Sequence, residues 1–139
     1  MYWFWIHTVL SVFVALIFIL TAANGFTIYR HKIMVSYRSL PAILSSHVKL
    51  GYGCAVFFLL SLLSGAMVRS WSGWYASLHK LIPLILIPFL LGGLYTGLLL
   101  KKASGRRPLL HVFFFIVAGA MTLLQFFSGI VMLGLVWSS

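Results

Sequence analysis

The chain has 139 residues, of which 63% are hydrophobic and only 7% are charged. Soluble globular domains have about a quarter of their residues charged, so this balance excludes that class of protein. The chain contains ten Lys and Arg residues but no Asp or Glu. A carboxylate general base and a hard-cation cage made by this chain alone are therefore excluded as well.

Four apolar runs follow one another along the chain. A helix needs about 20 apolar residues to cross the hydrocarbon core of a bilayer, and each run reaches that length. The predicted helices cover about residues 3–26, 42–68, 74–100 and 108–137. Only short connections remain, so we expect residues 1–139 to form one transmembrane domain. The predicted fold class is all-α, an integral membrane up-down four-helix bundle whose first run is a retained helix and not a signal peptide.

The basic residues predict how the bundle is oriented. Eight of the ten lie around the first and third connections, which is the pattern of loops that stay in the cytoplasm or stroma. These eight are Arg30, Lys32, Arg38, Lys49, Lys101, Lys102, Arg106 and Arg107. Arg69, Lys80 and all five tryptophans lie at the other end; we call the two ends the basic side and the Trp side. We expect both termini to be periplasmic or lumenal, in a bacterial inner membrane or a thylakoid.

Such loop charges face anionic lipid headgroups and form no face for nucleic acid, so the expected surroundings are a lipid bilayer. The one cysteine, Cys54, lies inside an apolar run, and we expect it to be a small core residue.

Histidine and glycine repeat together in all four predicted helices. Each helix has a histidine about one turn after its start, and a glycine follows that histidine eighteen residues later. The four pairs are His7 and Gly25, His47 and Gly65, His79 and Gly97, and His111 and Gly129. Eighteen residues make five helical turns, so each histidine shares a helix face with its glycine, about 27 Å away. Four such matches have a chance probability of about 10⁻³, so the pattern needs a common cause.

Antiparallel packing gives the pattern a physical meaning. In an up-down bundle, His7 and His79 meet at the Trp side, while His47 and His111 meet at the basic side. Each pair then bridges two diagonally opposed helices, and two facing imidazoles are what a six-coordinate haem iron requires. Glycines on the other two helices would let a flat porphyrin approach closely. The sequence therefore predicts two haem b groups, one near each membrane face, and no catalytic residue.

These residues also have plainer interpretations. A single histidine near a membrane helix end is most often an interfacial polar residue, and small residues also serve ordinary helix packing. His31 lies in a predicted loop and is expected to be solvated, with binding of an anionic substrate or a quinone as the alternative. Gln125 is expected to make one interhelical hydrogen bond or, as the second choice, to act beside a haem.

Several short motifs carry a family resemblance. They are Ile6-His7-Thr8, Ser46-His47-Val48-Lys49-Leu50-Gly51, Arg106-Arg107-Pro108-Leu109-Leu110-His111 and Gln125-Phe126-Phe127-Ser128-Gly129. With one histidine per helix, the chain resembles the four-helix core of the cytochrome b561 superfamily. It resembles more closely an uncharacterised four-helix family of cyanobacteria and plastids. The resemblance implies two non-covalent haems, with ligands at His7, His47, His79 and His111, and passage of electrons across a membrane.

The expected function is transmembrane electron transfer through two bis-histidine haems, since this ligation leaves no open iron position. Expected partners are a redox donor and acceptor (a quinone, an ascorbate-like reductant or a protein) and a larger membrane complex. Whether the chain is an electron-transfer protein by itself or a component of a membrane oxidoreductase is left open. The alternatives are a pigment- or haem-binding structural subunit of a photosynthetic or respiratory complex, and a haem-and-quinone anchor for a soluble reductase. Chlorophyll needs only one axial ligand, so it would not explain diagonal pairing.

Overall fold

The computed structural model describes residues 2–34, 40–68, 74–102 and 109–137, and one long helix makes up nearly all of each segment. Side chains are described for residues 2–30, 41–68, 78–100 and 109–134. The four helices are α1 (Tyr2–Met34), α2 (Leu40–Ala66), α3 (Trp74–Lys102) and α4 (Leu109–Trp137). The predicted all-α class is confirmed. All four helices are long and apolar enough to cross a membrane.

Helix α1 differs most from its predicted bounds. It was expected to end near residue 26 but continues to Met34, so position 31 is helical, and the prediction that His31 lies in a loop is wrong. No proline or glycine follows Gly25 before the end of the helix, so nothing in this stretch stops the backbone hydrogen bonds. Hydropathy marks where the apolar run ends, and here the helix continues beyond it.

Prolines mark two of the other helices. Helix α2 begins two residues earlier than expected, and Pro41 falls in its first turn, where the missing N–H is not needed. Helix α3 runs through both Pro83 and Pro88 to Lys102. Pro108, which was expected in the first turn of α4, lies outside the described residues.

The helices pack as two antiparallel hairpins. Helix α1 packs closely along α2, and α3 along α4, while the hairpins meet more sparsely through α1 with α4 and α2 with α3. Among the described residues, no Cα of α1 lies within 8 Å of α3, and none of α2 within 8 Å of α4. Helices α1 and α3 are therefore diagonal to each other, as are α2 and α4.

The buried core lies in the middle of the bundle and draws on all four helices. Its central residues are Val14, Cys54, Phe58, Leu86 and Ala118. Cys54 is 5% exposed, which confirms its predicted place in the core.

The outer surface is also strongly apolar. Leu63, Leu91, Ile116 and Phe127, one or two from each of the last three helices, are 60–63% exposed. Soluble monomers rarely expose large contiguous apolar patches, so this surface suits contact with lipid tails.

Candidate functional site

The structure brings the four helix-start histidines together in two pairs. The ring centres of His7 and His79 are 6.0 Å apart, with the ring planes at 90°. Those of His47 and His111 are 6.2 Å apart, with the planes at 79°. Each pair joins diagonally opposed helices, α1 with α3 and α2 with α4. These are the two pairs that antiparallel packing predicts.

The separation within each pair is close to that of two imidazole ligands on one metal ion. An imidazole nitrogen binds a transition metal at about 2.0–2.1 Å, and the ring centre lies about 1.2 Å behind that nitrogen. Two imidazoles on opposite sides of one metal ion therefore have ring centres about 6.5 Å apart. The observed 6.0 and 6.2 Å are close to this value.

Backbone carbonyls of the neighbouring helix orient three of the rings. The Nδ1 atoms of His7, His47 and His111 lie 2.9, 3.0 and 2.9 Å from the carbonyl oxygens of Ser61, Thr21 and Gly93, respectively. A carbonyl oxygen only accepts hydrogen bonds, so Nδ1 carries the proton in each ring, and the lone pair is on Nε2. Histidines that bind metals are usually held in this way, with the second ring nitrogen donating to a carbonyl or carboxylate.

The fourth ring is held through a hydroxyl group. The Nδ1 atom of His79 lies 2.7 Å from Ser128 Oγ. That hydroxyl donates to the carbonyl of Gln125 at 2.8 Å, so its oxygen accepts the Nδ1 proton of His79. All four histidines therefore have the same tautomer.

The acceptors follow the glycine repeat. The carbonyl that each histidine reaches, directly or through Ser128, belongs to the residue four positions before a glycine. Small polar residues just before the glycines add to the same contacts, with Ser64 Oγ 3.5 Å from His7 Nδ1 and Thr96 Oγ1 3.2 Å from His111 Nδ1. Asn24 differs, because its amide donates to Ser46 Oγ at 3.2 Å. The sequence does not reveal these carbonyl acceptors, because every residue has a carbonyl. The one sign of them is their position four residues before a glycine.

The glycines lie against the imidazoles of the neighbouring helix in the same hairpin. A Cβ atom added at Gly65, Gly25, Gly97 or Gly129 would lie 2.9, 3.1, 3.2 or 3.5 Å from Cε1 of His7, His47, His111 or His79, respectively. A side chain at Gly65 would force the imidazole to shift, and one at Gly25 or Gly97 would require it to give by a few tenths of an ångström. The missing side chains therefore make room for imidazole rings, and contact of the same glycines with a porphyrin stays a prediction.

A large cavity adjoins the Trp-side pair. Its volume is about 690 Å³, and all four helices contribute to its mostly apolar wall, including His7, His79, Gly65 and Gly129. Cofactor and drug-sized ligand pockets have volumes of about 300–1,000 Å³. The exposed side chain of Lys80 also lines this cavity and supplies a positive charge there. The residues at this end of the bundle thus fit a haem in ligands, space and charge.

The basic-side pair has the same ligand geometry but much less space. The cavity beside His47 and His111 has a volume of about 70 Å³ and is lined by several phenylalanine rings. Phe18 stacks on Phe115 with ring centres 4.7 Å apart, and Phe114 packs close to the Cα of Gly92. A porphyrin does not fit between these rings as they stand. The histidines were predictable from spacing, but this filling by aromatic rings was not.

Each pair supplies two imidazoles. Within the described residues, no group of three or more His, Cys, Asp or Glu side chains is arranged to hold a bare metal ion. Two opposed imidazoles suit a metal whose four equatorial positions are already filled by a macrocycle. Of the other two predicted candidates, the side chain of His31 lies outside the described residues, and Gln125 contacts His79 across the α3–α4 interface.

Comparison with protein-family models, curated proteins and solved structures finds no match for this chain. The resemblance to the cytochrome b561 superfamily therefore rests on the short motifs alone and stays a hypothesis. The geometry of the site is therefore what indicates a function.

Proposed function

We propose that this chain is an integral membrane protein that binds haem b through its paired histidines and transfers single electrons across the membrane. The observation that carries the proposal is the Trp-side pair, whose ring centres are 6.0 Å apart beside a cavity of about 690 Å³. His7 and His79 would supply two imidazole ligands to the haem iron. A haem held in this way supplies an iron that accepts and releases one electron.

The membrane part of the proposal is supported by the helices and their surface. Four helices have the length and hydropathy of membrane spans, and the bundle exposes apolar side chains all around. The charge asymmetry of the connections favours a location with both termini on the periplasmic or lumenal side. A bacterial inner membrane or a thylakoid has the two compartments that this orientation needs.

The residues around the Trp-side pair have separate tasks in this proposal. The bonds from the histidine Nδ1 atoms fix the ring orientations and raise the basicity of the imidazoles. The apolar wall keeps water away and favours the flat macrocycle. Haem carries two carboxylate side chains, while this chain has no acidic residue. Lys80, an exposed residue that lines this cavity, would pair its ammonium group with one of them.

A second haem is proposed at the basic side, between His47 and His111. The ring spacing of 6.2 Å and the Nδ1 tautomer match those of the Trp-side pair. For this haem to bind, Phe18 and Phe114 have to turn away from the space between the histidines. The two sites would then act in series between a donor on one side and an acceptor on the other: a quinone, an ascorbate-like reductant or a protein.

A one-haem structural subunit of a photosynthetic or respiratory membrane complex is the second candidate function. The observation that favours it is the small basic-side cavity, about 70 Å³ against about 690 Å³ at the Trp side. In that case His47 and His111 would serve packing, and electrons would not cross the membrane through this chain alone.

Electron transfer across vesicle membranes tests the proposal and separates the two candidates. The purified haem-loaded protein is placed in lipid vesicles with ferricyanide trapped inside and dithionite outside, and the loss of ferricyanide absorbance is followed. We expect fast reduction in the wild type. The variants His79→Ala and His111→Ala should each fall to the rate of protein-free vesicles, because two sites in series fail when either is lost.

Each variant has a result that would contradict part of the proposal. An unchanged rate in His111→Ala would rule out the basic-side haem as a step and favour the one-haem subunit. An unchanged rate in His79→Ala would overturn electron transfer through the Trp-side site. Gly134→Ala serves as the matched control in α4, because a Cβ at this position meets nothing within 4 Å.

A further inference from the structure

His79 is held differently from the other three histidines. Its Nδ1 proton goes to the rotatable hydroxyl of Ser128, whereas the other rings donate directly to backbone carbonyls. A Cβ at Gly129 would be 3.5 Å from His79 Cε1, the widest of the four glycine gaps, against 2.9 Å between Gly65 and His7. The acceptor of the His79 Nδ1 proton is thus a side chain that can itself rotate.

Gln125 lies directly against this ring. Its side-chain nitrogen is 3.0 Å from Nε2 and 3.2 Å from Nδ1 of His79. Because the Nδ1 proton of His79 is donated to Ser128, only Nε2 has a lone pair that can accept from the amide. This lone pair is the one that an iron would need. Gln125 also lines the Trp-side cavity, and its buried Oε1 has no hydrogen-bond partner among the described residues.

We propose that Gln125 is a positioning residue that competes with the haem iron for the Nε2 lone pair of His79, which makes His79 the exchangeable ligand of the Trp-side site. This inference rests on the proposed haem function. Without haem, the amide N–H group of Gln125 holds His79 by its Nε2 atom. A haem iron bound to His79 would need that lone pair, so the amide of Gln125 would then lose its acceptor, and it would regain the acceptor wherever His79 was not bound to iron.

The comparison of hemin with metal-free protoporphyrin IX tests the competition. Both fill the same cavity, but only hemin needs the lone pair of His79. We expect Gln125→Leu, which preserves side-chain volume, to raise the affinity of the haem-free protein for hemin relative to protoporphyrin by about two- to tenfold, the range of one hydrogen bond. Thr122→Val is the matched control, because Thr122 lies one turn away on the same cavity wall and bonds only within α4 in the described contacts, to Ala118.

A double-mutant cycle shows whether the effect passes through His79. In a His79→Ala background, Gln125→Leu should no longer change the ratio of the two affinities, because the lone pair is gone. In the reduced wild type, carbon monoxide should displace His79, and Gln125→Leu should slow this displacement by a similar factor. Equal effects of Gln125→Leu on hemin and protoporphyrin, or an effect that survives in His79→Ala, would overturn the inference and leave the proposed function intact. A wild type that binds protoporphyrin and hemin with equal affinity would overturn both.

Discussion

His7→Ala and His79→Ala are each expected to lower the haem content of the purified protein by about one haem per chain, and the double variant should lose no more than either one. The two ring centres are 6.0 Å apart, so in the proposed site both imidazoles would serve the same iron. Loss of one ligand already abolishes the shared site, so loss of the second ligand causes no further decrease in haem content. The number of haems per polypeptide in each variant is measured by alkaline pyridine spectroscopy and compared with that of the wild type.

The other pair provides the internal control for this experiment. His47→Ala and His111→Ala should define a second haem between them, and combining one variant from each pair should bring the haem content close to zero. Imidazole has to be absent during purification, because it would fill a vacated ligand position and hide the loss. If His7→Ala and His79→Ala remove different chromophores, diagonal pairing does not hold the cofactor, and single-ligand pigment binding becomes the better account.

Replacing Gly65 by Leu should expel the same Trp-side haem without touching a ligand. A Cβ at this position would lie 2.9 Å from Cε1 and 3.0 Å from Nδ1 of His7, closer than such atoms normally approach. The leucine would force the His7 ring away from Ser61, whose carbonyl orients it at 2.9 Å. We expect Gly65→Leu to lose about one haem per chain, as His7→Ala does.

Two other substitutions separate this effect from general damage to the bundle. Gly53→Leu lies on the same helix, and a Cβ there meets nothing within 4 Å, so this variant should keep its full haem content. Gly65→Ala should weaken haem binding while Gly129→Ala should not, since the gap of 3.5 Å at Gly129 is an ordinary contact distance. Full haem content in Gly65→Leu would mean that the glycine repeat serves helix packing alone.

Much of the site follows from sequence because it depends on periodicity. Apolar runs of sufficient length predict the helices, and antiparallel order then decides which histidines share a level, so the meeting of His7 with His79 needs no further information. The eighteen-residue spacing places a glycine of each hairpin helix opposite the histidine of the other. The same geometry explains why the imidazole of His7 lies against Gly65, although the expected neighbour of this glycine was a porphyrin.

Other features depend on contacts that leave no trace in sequence. The carbonyls of Ser61 and Thr21 could belong to any residue type, so their role as acceptors appears only in three dimensions. The difference between the two cavities depends on how Phe18 and Phe114 turn, and rings of the same type could equally point outward. The extension of α1 to Met34 was missed because the apolar pattern ends before the helix does.

The reduced-minus-oxidised absorption spectrum of the purified wild type, with haem quantified per polypeptide, tests most directly whether the paired histidines hold haem. The protein should be produced in a host that supplies haem and purified without imidazole. We expect the narrow visible bands of a six-coordinate, low-spin haem with two histidine ligands, at about two haems per chain. A preparation without haem bands, or one with the spectrum of a five-coordinate haem or of chlorophyll, would contradict haem binding by the paired histidines.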